Sequence, residues 1–204
     1  MPDVEALILD LDGVIRHWNR DGFVDMATSF GVSADDFAAI AFEPDLLAAA
    51  MTGALDADEW GSEIGRRVNE LHGPDAVAVA DAFAALGWTI DFDVVALVRR
   101  VRDGGRAKVA LFSNASTRLE DDLRASGVYD AFDVVFNSAR LRMAKPDPDA
   151  FRAVAASLGT TPERCLFVDD TLPNIDGARA AGMWAEHFDG IAGLRSLLET
   201  AGLL

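Results

Sequence analysis

The fold of this chain is indicated first by the run Ala6-Leu7-Ile8-Leu9-Asp10-Leu11-Asp12-Gly13. Four apolar residues without polar alternation predict a strand buried on both faces, and such strands are typical of parallel sheets. Ligands bind at the carboxyl ends of these strands, where this run places two carboxylates. The pair could bind a hard cation and supply a nucleophile and an acid–base group, or it could form a plain solvated turn. A calcium loop is excluded because Ile15 occupies the position that requires glycine.

Later segments extend this pattern into an alternation of strands and helices. Further apolar runs that predict strands are Val109–Phe112, Val134–Phe136, Leu166–Val168 and, more weakly, Trp184–His187. Helices are predicted to start at a Thr117–Glu120 capping box, at Asp147 followed by Pro148, at Asn174 and at Ile191. The alternation predicts an α/β fold with a doubly wound, Rossmann-like parallel sheet.

The region between Gly13 and about Ile90 interrupts this alternation, because it contains no recognisable strand pattern. Helical patterns cover Phe23–Phe30, Ala34–Ala41, Asp56–Leu71 and Asp75–Leu86. A connection of that length without structure of its own is uncommon in a compact domain. We therefore expect residues 16–90 to form an inserted helical cap, and residues 1–15 with 91–204 to form the α/β core.

Composition excludes several classes of function. The 204 residues carry a formal net charge of −16, which disfavours nucleic acid and anionic membranes as partners. The single cysteine, Cys165, rules out an internal disulfide framework, and its apolar surroundings predict a buried, reduced thiol. No apolar stretch approaches the ~18 residues of a membrane-spanning helix. Since no signal-peptide pattern is recognisable, we expect a cytoplasmic protein.

Three more polar motifs follow predicted strands or precede predicted helices. Ser113 and Asn114 could bind an anion, Lys145 could bind a phosphate, and Asp169 with Asp170 could bind a cation. Each also has a plainer interpretation, as a helix cap, a solvated surface charge and a capping turn respectively. Together with the first carboxylate pair, however, they provide complementary chemistry: carboxylates for a metal ion, and a hydroxyl and an ammonium for a phosphate.

The order and spacing of these motifs resemble the haloacid dehalogenase-like superfamily. The matching segments are Asp10-x-Asp12-Gly13, Ser113-Asn114, Lys145-Pro146 and Val168-Asp169-Asp170. The inserted helical region is similar to the α-helical type-one cap of that superfamily, and the resemblance spans nearly the whole chain. Within the family, the first and last of these segments look most like those of small-metabolite phosphatases.

The resemblance implies a two-step phosphoryl transfer. Asp10 would be the nucleophile that forms an aspartyl-phosphate, and Asp12 would protonate the leaving alcohol and then activate water. In the dehalogenases of this superfamily the position of Asp12 is not an acid, because halide leaves without a proton. The carboxylate of Asp12 therefore favours phosphate esters, although a phosphomutase, a 2-haloacid dehalogenase and a non-catalytic binding module stay open as alternatives.

The resemblance also implies a Mg²⁺ cofactor and a phosphate cradle. The ion would be bound by Asp10, by the backbone carbonyl of Asp12 and by Asp170, with Asp169 bound directly or through water. The residues implied to hold the phosphoryl oxygens are Ser113, the Asn114 backbone amide and Lys145. The expected partner is a small phosphorylated metabolite, and the protein itself would be a monomer or a homodimer.

The charge of the predicted cap bears on the substrate class. From His17 to Ile90 the chain has 13 acids against three bases, Arg20, Arg66 and Arg67, which gives a net charge of −10. Such a cap suits a neutral or hydroxyl-rich leaving group, as in a sugar or polyol phosphate, better than a nucleotide or polyphosphate. Candidate substrate contacts are Arg16, His17, Trp18, Trp60 and Arg66.

Overall fold

The computed structural model describes residues 3–204, which form seven β-strands and eleven α-helices. The strands are β1 (Ala6–Leu9), β2 (Arg16–Trp18), β3 (Trp88–Ile90), β4 (Lys108–Ser113), β5 (Val134–Asn137), β6 (Cys165–Asp169) and β7 (Trp184–His187). The first five helices are α1 (Arg20–Ser29), α2 (Ala34–Ala41), α3 (Pro44–Met51), α4 (Ala57–His72) and α5 (Ala76–Ala84). The remaining helices are α6 (Phe92–Gly104), α7 (Leu119–Ala125), α8 (Ser138–Leu141), α9 (Pro148–Leu158), α10 (Leu172–Ala181) and α11 (Ile191–Thr200).

Five of the strands form one parallel sheet in the order β5-β4-β1-β6-β7. The central strand β1 pairs with β4 on one side and with β6 on the other, so the carboxyl ends of these three strands lie side by side. This arrangement confirms the predicted doubly wound α/β fold.

Helices cover both faces of this sheet, which explains the uninterrupted apolar strands. Leu7 and Leu9 of β1 pack into a cluster with α6, α7 and α11, whereas Ala6 and Ile8 pack on the opposite face with α9 and α10. Because successive side chains of a strand point to opposite faces, both sets must be apolar. Within residues 3–204, no helix combines the length and apolar character needed to cross a bilayer.

Helices α1 to α5 lie between the first and second strands of the sheet and share a hydrophobic cluster of their own. Phe37, Ile64 and Val68 are fully buried in that cluster. The helix α4 starts with a capping box formed by Asp56 and Glu59. The boundaries of this region as a domain, residues 16 and 90, stay a prediction.

The prediction that residues 13–90 contain no strand is wrong. Strands β2 and β3 pair antiparallel and form a two-stranded ribbon at the two ends of this region, with Trp18 opposite Trp88. Each strand has three residues, too few to show an alternating pattern, and the two strands pair with each other across about 70 residues.

One other local expectation also differs from the structure. The Thr117–Glu120 capping box does not form: α7 begins at Leu119 without a side-chain cap. The Thr117 hydroxyl instead accepts a hydrogen bond from the Ala57 N–H at the start of α4. By contrast, the Asp147 cap of α9 forms as predicted, since its carboxylate accepts from the Asp149 N–H. The helix α3 was not predicted from the pattern.

Candidate active site

The carboxyl ends of β1, β4 and β6 bring the predicted polar motifs together around one cavity of about 420 Å³. Its lining includes all the predicted site residues except one: Asp10, Asp12, Ser113, Asn114, Lys145 and Asp170. The exception, Asp169, is fully buried behind the lining, at the end of β6. Sequence positions more than 150 residues apart therefore meet because their strands are neighbours in the sheet.

Lys145 lies between two buried carboxylates. Its Nζ is 2.8 Å from Asp10 Oδ1 and 2.6 Å from Asp169 Oδ2, and all three side chains are almost completely buried. The side chain of Asn114 holds the lysine backbone in place, because its Nδ2 donates to the Lys145 carbonyl and its Oδ1 accepts from the Lys145 N–H. Because both polar atoms of that side chain are hydrogen-bonded to Lys145, the backbone amide of Asn114 is the group left to contact a ligand.

At both Asp10 and Lys145, burial and the charge of the partner shift the pKa in opposite directions. Burial raises the pKa of Asp10 to about 7; Lys145 opposes this rise, and the neighbouring Asp169 adds to it. Burial by itself would lower the pKa of Lys145, but attraction to Asp10 and Asp169 outweighs it, and the net direction is upward. Lys145 is therefore held as a cation. At Asp10, the nearby positive charge is too small to offset the effect of burial on the pKa of the carboxyl group.

Asp169 acts as the anchor of the site. Besides Lys145, its carboxylate accepts hydrogen bonds from the Asn174 side chain, at 3.1 and 3.0 Å, and from the Thr171 N–H at 2.8 Å. Both carboxylate oxygens thus already have donors. By comparison, the neighbouring Asp170 is exposed to the cavity, which makes Asp170 the more available ligand for an ion.

The donor set fits a hard divalent cation. Asp10, Asp169 and Asp170 each offer a carboxylate oxygen, and these oxygens lie within 4.8 Å of one another. Three carboxylates against the single ammonium of Lys145 leave two negative charges, the amount that Mg²⁺ would balance. Gly13 permits this approach: a Cβ there would lie 1.9 Å from Asp170 Oδ2, and its φ of +83° favours glycine.

Ser113 provides an unused hydroxyl on the other side of the cavity. Among residues 3–204, its Oγ is the buried side-chain oxygen or nitrogen without a hydrogen-bond partner. Such an atom is costly unless a ligand satisfies it. A hydroxyl and an ammonium beside the Asp10 carboxylate are the groups that an incoming phosphate needs.

Asp12 forms an ion pair with Arg16, a residue that the sequence indicated only as a possible substrate contact. Arg16 Nε and Nη2 donate to the two carboxylate oxygens of Asp12 at 2.7 and 2.8 Å. The Asp12 side chain is therefore outside the group of carboxylates that could ligate a metal ion, and its predicted backbone contact to Mg²⁺ stays a prediction.

The structure separates the candidate substrate contacts into two groups. Arg16, His17 and Trp18 line the cavity, as expected. The expectation for Trp60 and Arg66 is wrong for this structure: Trp60 packs on Phe42 and Phe83, and Arg66 pairs with Glu63 and Glu70 on the surface of α4. Periodicity identified the helix but not which of its faces points toward the cavity.

Three lining residues were not singled out from the sequence as contacts: Arg20, Thr171 and Asn174. Thr171 directly follows Asp169-Asp170, and Asn174 lies in the first turn of α10, so their position after the motif was an available signal. Arg20 is the first residue of α1, shortly after β2, and nothing in the local sequence pattern indicated that it would line the cavity.

Comparison with known proteins gives the family. The sequence-family model of the haloacid dehalogenase-like hydrolases matches residues 4–182, which are most of the chain. The chain belongs to that family. It is accordingly a hydrolase, and the predicted resemblance is confirmed.

Relatives of this haloacid dehalogenase-like hydrolase include proteins named as phosphatases. Phosphatase MT3486 of Mycobacterium tuberculosis is 44% identical over 67 residues, which are 33% of this chain and 31% of that protein. The chain therefore spans about a third of that relative. Sesquiterpene phosphatase astK of Aspergillus oryzae is 28% identical over 202 residues, 97% of each chain.

Solved structures show the same fold. A HAD family enzyme of Bacteroides thetaiotaomicron, determined in complex with magnesium and inorganic phosphate, superposes with a TM-score of 0.72 at 21% identity. The match covers 90% of this chain and 93% of that enzyme. At this identity the likeness establishes the shared fold.

Proposed function

We propose that this haloacid dehalogenase-like hydrolase is a Mg²⁺-dependent phosphatase that hydrolyses a small phosphate monoester through an aspartyl-phosphate on Asp10. One observation carries the proposal: a buried carboxylate, a buried ammonium and an unpartnered buried hydroxyl surround the same cavity. A halide-releasing enzyme has no use for the acid at Asp12, whereas an alcohol leaving group needs a proton.

In the proposed first step, a carboxylate oxygen of Asp10 attacks phosphorus, and the bond from phosphorus to the ester oxygen breaks. Lys145 and the Ser113 hydroxyl would bind the non-bridging phosphoryl oxygens, together with the Asn114 backbone amide. Asp12 would donate its proton to the ester oxygen, so that a neutral alcohol leaves.

In the proposed second step, Asp12 takes a proton from water as the water oxygen bonds to phosphorus and the Asp10–phosphorus bond breaks. Inorganic phosphate is released, Asp10 is again a carboxylate, and Asp12 again carries the proton that the first step needs. Bound Mg²⁺ would supply charge neutralisation, allowing an anionic carboxylate to approach an anionic phosphate. Asp10 and Asp170 would hold the ion, with Asp169 supporting them.

The proposed substrate is a small, singly phosphorylated metabolite of the sugar or polyol class. A cavity of about 420 Å³ with a largely polar lining supports a compact, hydroxyl-rich leaving group. Residues 17–90 of the predicted cap carry a net charge of −10, yet the residues that the cap contributes to the lining within residues 3–204 are Arg16, His17, Trp18 and Arg20, none of them acidic. Repulsion by the cap therefore acts at long range, and not through direct contacts in the cavity.

The test is phosphate release from a panel of sugar, polyol and nucleotide monophosphates with Mg²⁺ present, alongside a 2-haloacid. We expect inorganic phosphate from the sugar or polyol esters, no halide, and a loss of at least about 10³-fold in kcat for Asp10→Asn, because the nucleophile is removed. Halide release without phosphate release, or full activity of Asp10→Asn, would contradict the proposal. Conversion of a sugar phosphate into its isomer without net phosphate release would identify a mutase instead.

A further inference from the structure

Arg16 makes four hydrogen bonds to the loop that follows β1. Its N–H donates to the Leu11 carbonyl at 2.8 Å, and its own carbonyl accepts from the Gly13 N–H at 2.8 Å. Its guanidinium donates from Nε and Nη2 to both carboxylate oxygens of Asp12. Main chain and side chain of one residue therefore fix the position and the orientation of Asp12, since a planar guanidinium matches a carboxylate bidentately.

Arg16 is itself held firmly. It is 5% exposed, and its third nitrogen, Nη1, lies 3.5 Å from Asp122 Oδ2 on α7 of the sheet region. The guanidinium carbon lies 4.7 Å from the ring centre of Trp18 and 5.9 Å from that of Trp88, the facing pair of the β2–β3 ribbon. A buried cation is costly unless it is paired, and here the partners come from the loop, from α7 and from the ribbon.

We propose that Arg16 is a positioning residue that holds the Asp12 carboxyl group at the cavity, with one carboxyl oxygen accepting from the guanidinium while the other carries the proton that is exchanged with the leaving oxygen and with water. The inference rests on the proposed function, in which Asp12 makes those exchanges. Proton transfer requires Asp12 within about 2.6–3.2 Å of the reacting oxygen. A half-exposed aspartate in a loop would otherwise sample several rotamers, and the bidentate pair removes that freedom.

This role predicts a dependence on the leaving group that a purely structural role would not produce. The nitrophenolate of p-nitrophenyl phosphate leaves without a proton, whereas the alkoxide of an alkyl phosphate needs one. The value of kcat/KM reports the steps up to departure of the alcohol and excludes the later attack of water. Loss of Asp12 positioning should therefore lower kcat/KM for the alkyl ester selectively.

The experiment measures kcat/KM with Mg²⁺ for both esters in the wild type and in Arg16→Met, Asp12→Asn and the double variant. We expect Arg16→Met to lower the alkyl-ester value about 10- to 100-fold, and the p-nitrophenyl value less than about threefold, because only the acid's contribution is lost. In the Asp12→Asn background, Arg16→Met should cause no further loss on the alkyl ester, since the two changes remove the same function.

The matched control is Arg99→Met on α6, where the guanidinium donates to the Gly127 carbonyl outside the cavity. It removes the same charge and should leave both kcat/KM values unchanged. If Arg16→Met does not fold, as judged by circular dichroism, Arg16→Lys replaces it: the lysine keeps a cation but lacks the bidentate fork. The same selective loss, of smaller size, is then expected.

The two hypotheses fail in distinguishable ways. Equal losses on both esters in a folded Arg16 variant, no loss in either, or an additive loss in the Asp12→Asn background would overturn the positioning role while leaving the phosphatase proposal intact. A wild type that releases no phosphate from either ester would overturn the proposed function itself. Equal losses on both esters in Asp12→Asn would overturn the acid role of Asp12, and the role of Arg16 with it.

Discussion

Lys145 is the residue on which the charge balance of the site depends. It is 4% exposed and contacts both Asp10 and Asp169, although a lone lysine in a sequence is ordinarily a solvated surface charge. One ammonium cannot balance these two carboxylates and the nearby Asp170, and burial makes the shortage costly. The folded protein should therefore gain stability from a divalent cation.

We predict that Mg²⁺ raises the unfolding temperature of the wild type. At ten times its Kd, the ion should stabilise the fold by about 1.4 kcal/mol, provided that it does not bind the unfolded chain. For a chain of this size that corresponds to a rise of about 3–6 °C. The measurement is a thermal melt by circular dichroism with Mg²⁺ and with a chelator.

Asp170→Asn should abolish most of that rise, because it removes the carboxylate most open to the cavity. The matched control is Asp176→Asn, which removes the same charge from an exposed position on α10 outside the cavity lining. A wild-type melt insensitive to Mg²⁺, or an undiminished rise in Asp170→Asn, would contradict the ion site.

Cys165 should be unreactive while the protein is folded. Burial raises the pKa of its thiol to about 12, and Glu5 and Glu163 add to the shift. Since the thiolate is the reactive form, a thiol reagent at a pH of about 8 should modify almost none of the native protein. After unfolding in urea, one thiol per chain should react, as followed by mass spectrometry. Rapid labelling of protein that circular dichroism shows to be folded would contradict this prediction.

At the scale of elements, α10 supports the site by its close approach to the segment that carries Lys145. A Cβ on Gly177 would lie 2.1 Å from the Pro146 carbonyl oxygen and 3.1 Å from the ring of Phe151. The helix begins directly after Thr171 and supplies Asn174 to the anchor carboxylate Asp169. Displacing this helix should therefore disturb stability and catalysis together.

Gly177→Ala should destabilise the fold by about 1–3 kcal/mol, because backbone atoms must shift to make room for the methyl group. It should also lower kcat, since Pro146 adjoins Lys145. The matched control is Gly104→Ala near the end of α6, where a Cβ would contact nothing within 4 Å, and where a gain of up to about 0.5 kcal/mol is expected. Urea denaturation measures both variants, and equal stability of the two would show that the close approach is not rigid.

At the scale of the whole molecule, the net charge of −16 opposes the approach of an anionic substrate. The groups that would bind phosphate, Lys145 and the Ser113 hydroxyl, are buried and act at short range. Capture of the substrate should therefore rest on the cavity itself and on the bound cation.

This balance predicts that salt accelerates capture of a phosphate monoester. Raising the ionic strength from about 0.01 to 0.15 M shortens the Debye length from about 30 to 8 Å, so repulsion by distant carboxylates should fade. With Mg²⁺ kept saturating, we expect kcat/KM to rise about two- to threefold while kcat changes little. A steady fall of kcat/KM with salt would instead show that attraction dominates the approach.

The sequence predicted the sheet and the assembly of the site better than it predicted local connections. Asp10, Ser113 and Asp169 could be placed together because each ends a buried strand, and parallel strands present their carboxyl ends at one edge. Thr117 illustrates the opposite case: its motif matched a local cap, but its hydroxyl binds Ala57, 60 residues away. A local pattern does not reveal a competing partner that only folding supplies.

The sequence by itself determined the α/β class, the family and the identity of the carboxylates, because these depend on apolar runs and on residues adjacent to them. The tertiary structure alone decided the pairing of β2 with β3 and the burial of Arg16 against Asp12 and Asp122. The pairing of β2 with β3 and the contact of Arg16 with Asp122 join segments far apart in the chain, whereas the contact of Arg16 with Asp12 depends on the fold of the loop after β1. Only the folded protein shows that the Arg16 guanidinium contacts both carboxylate oxygens of Asp12, the contact from which its positioning role is proposed.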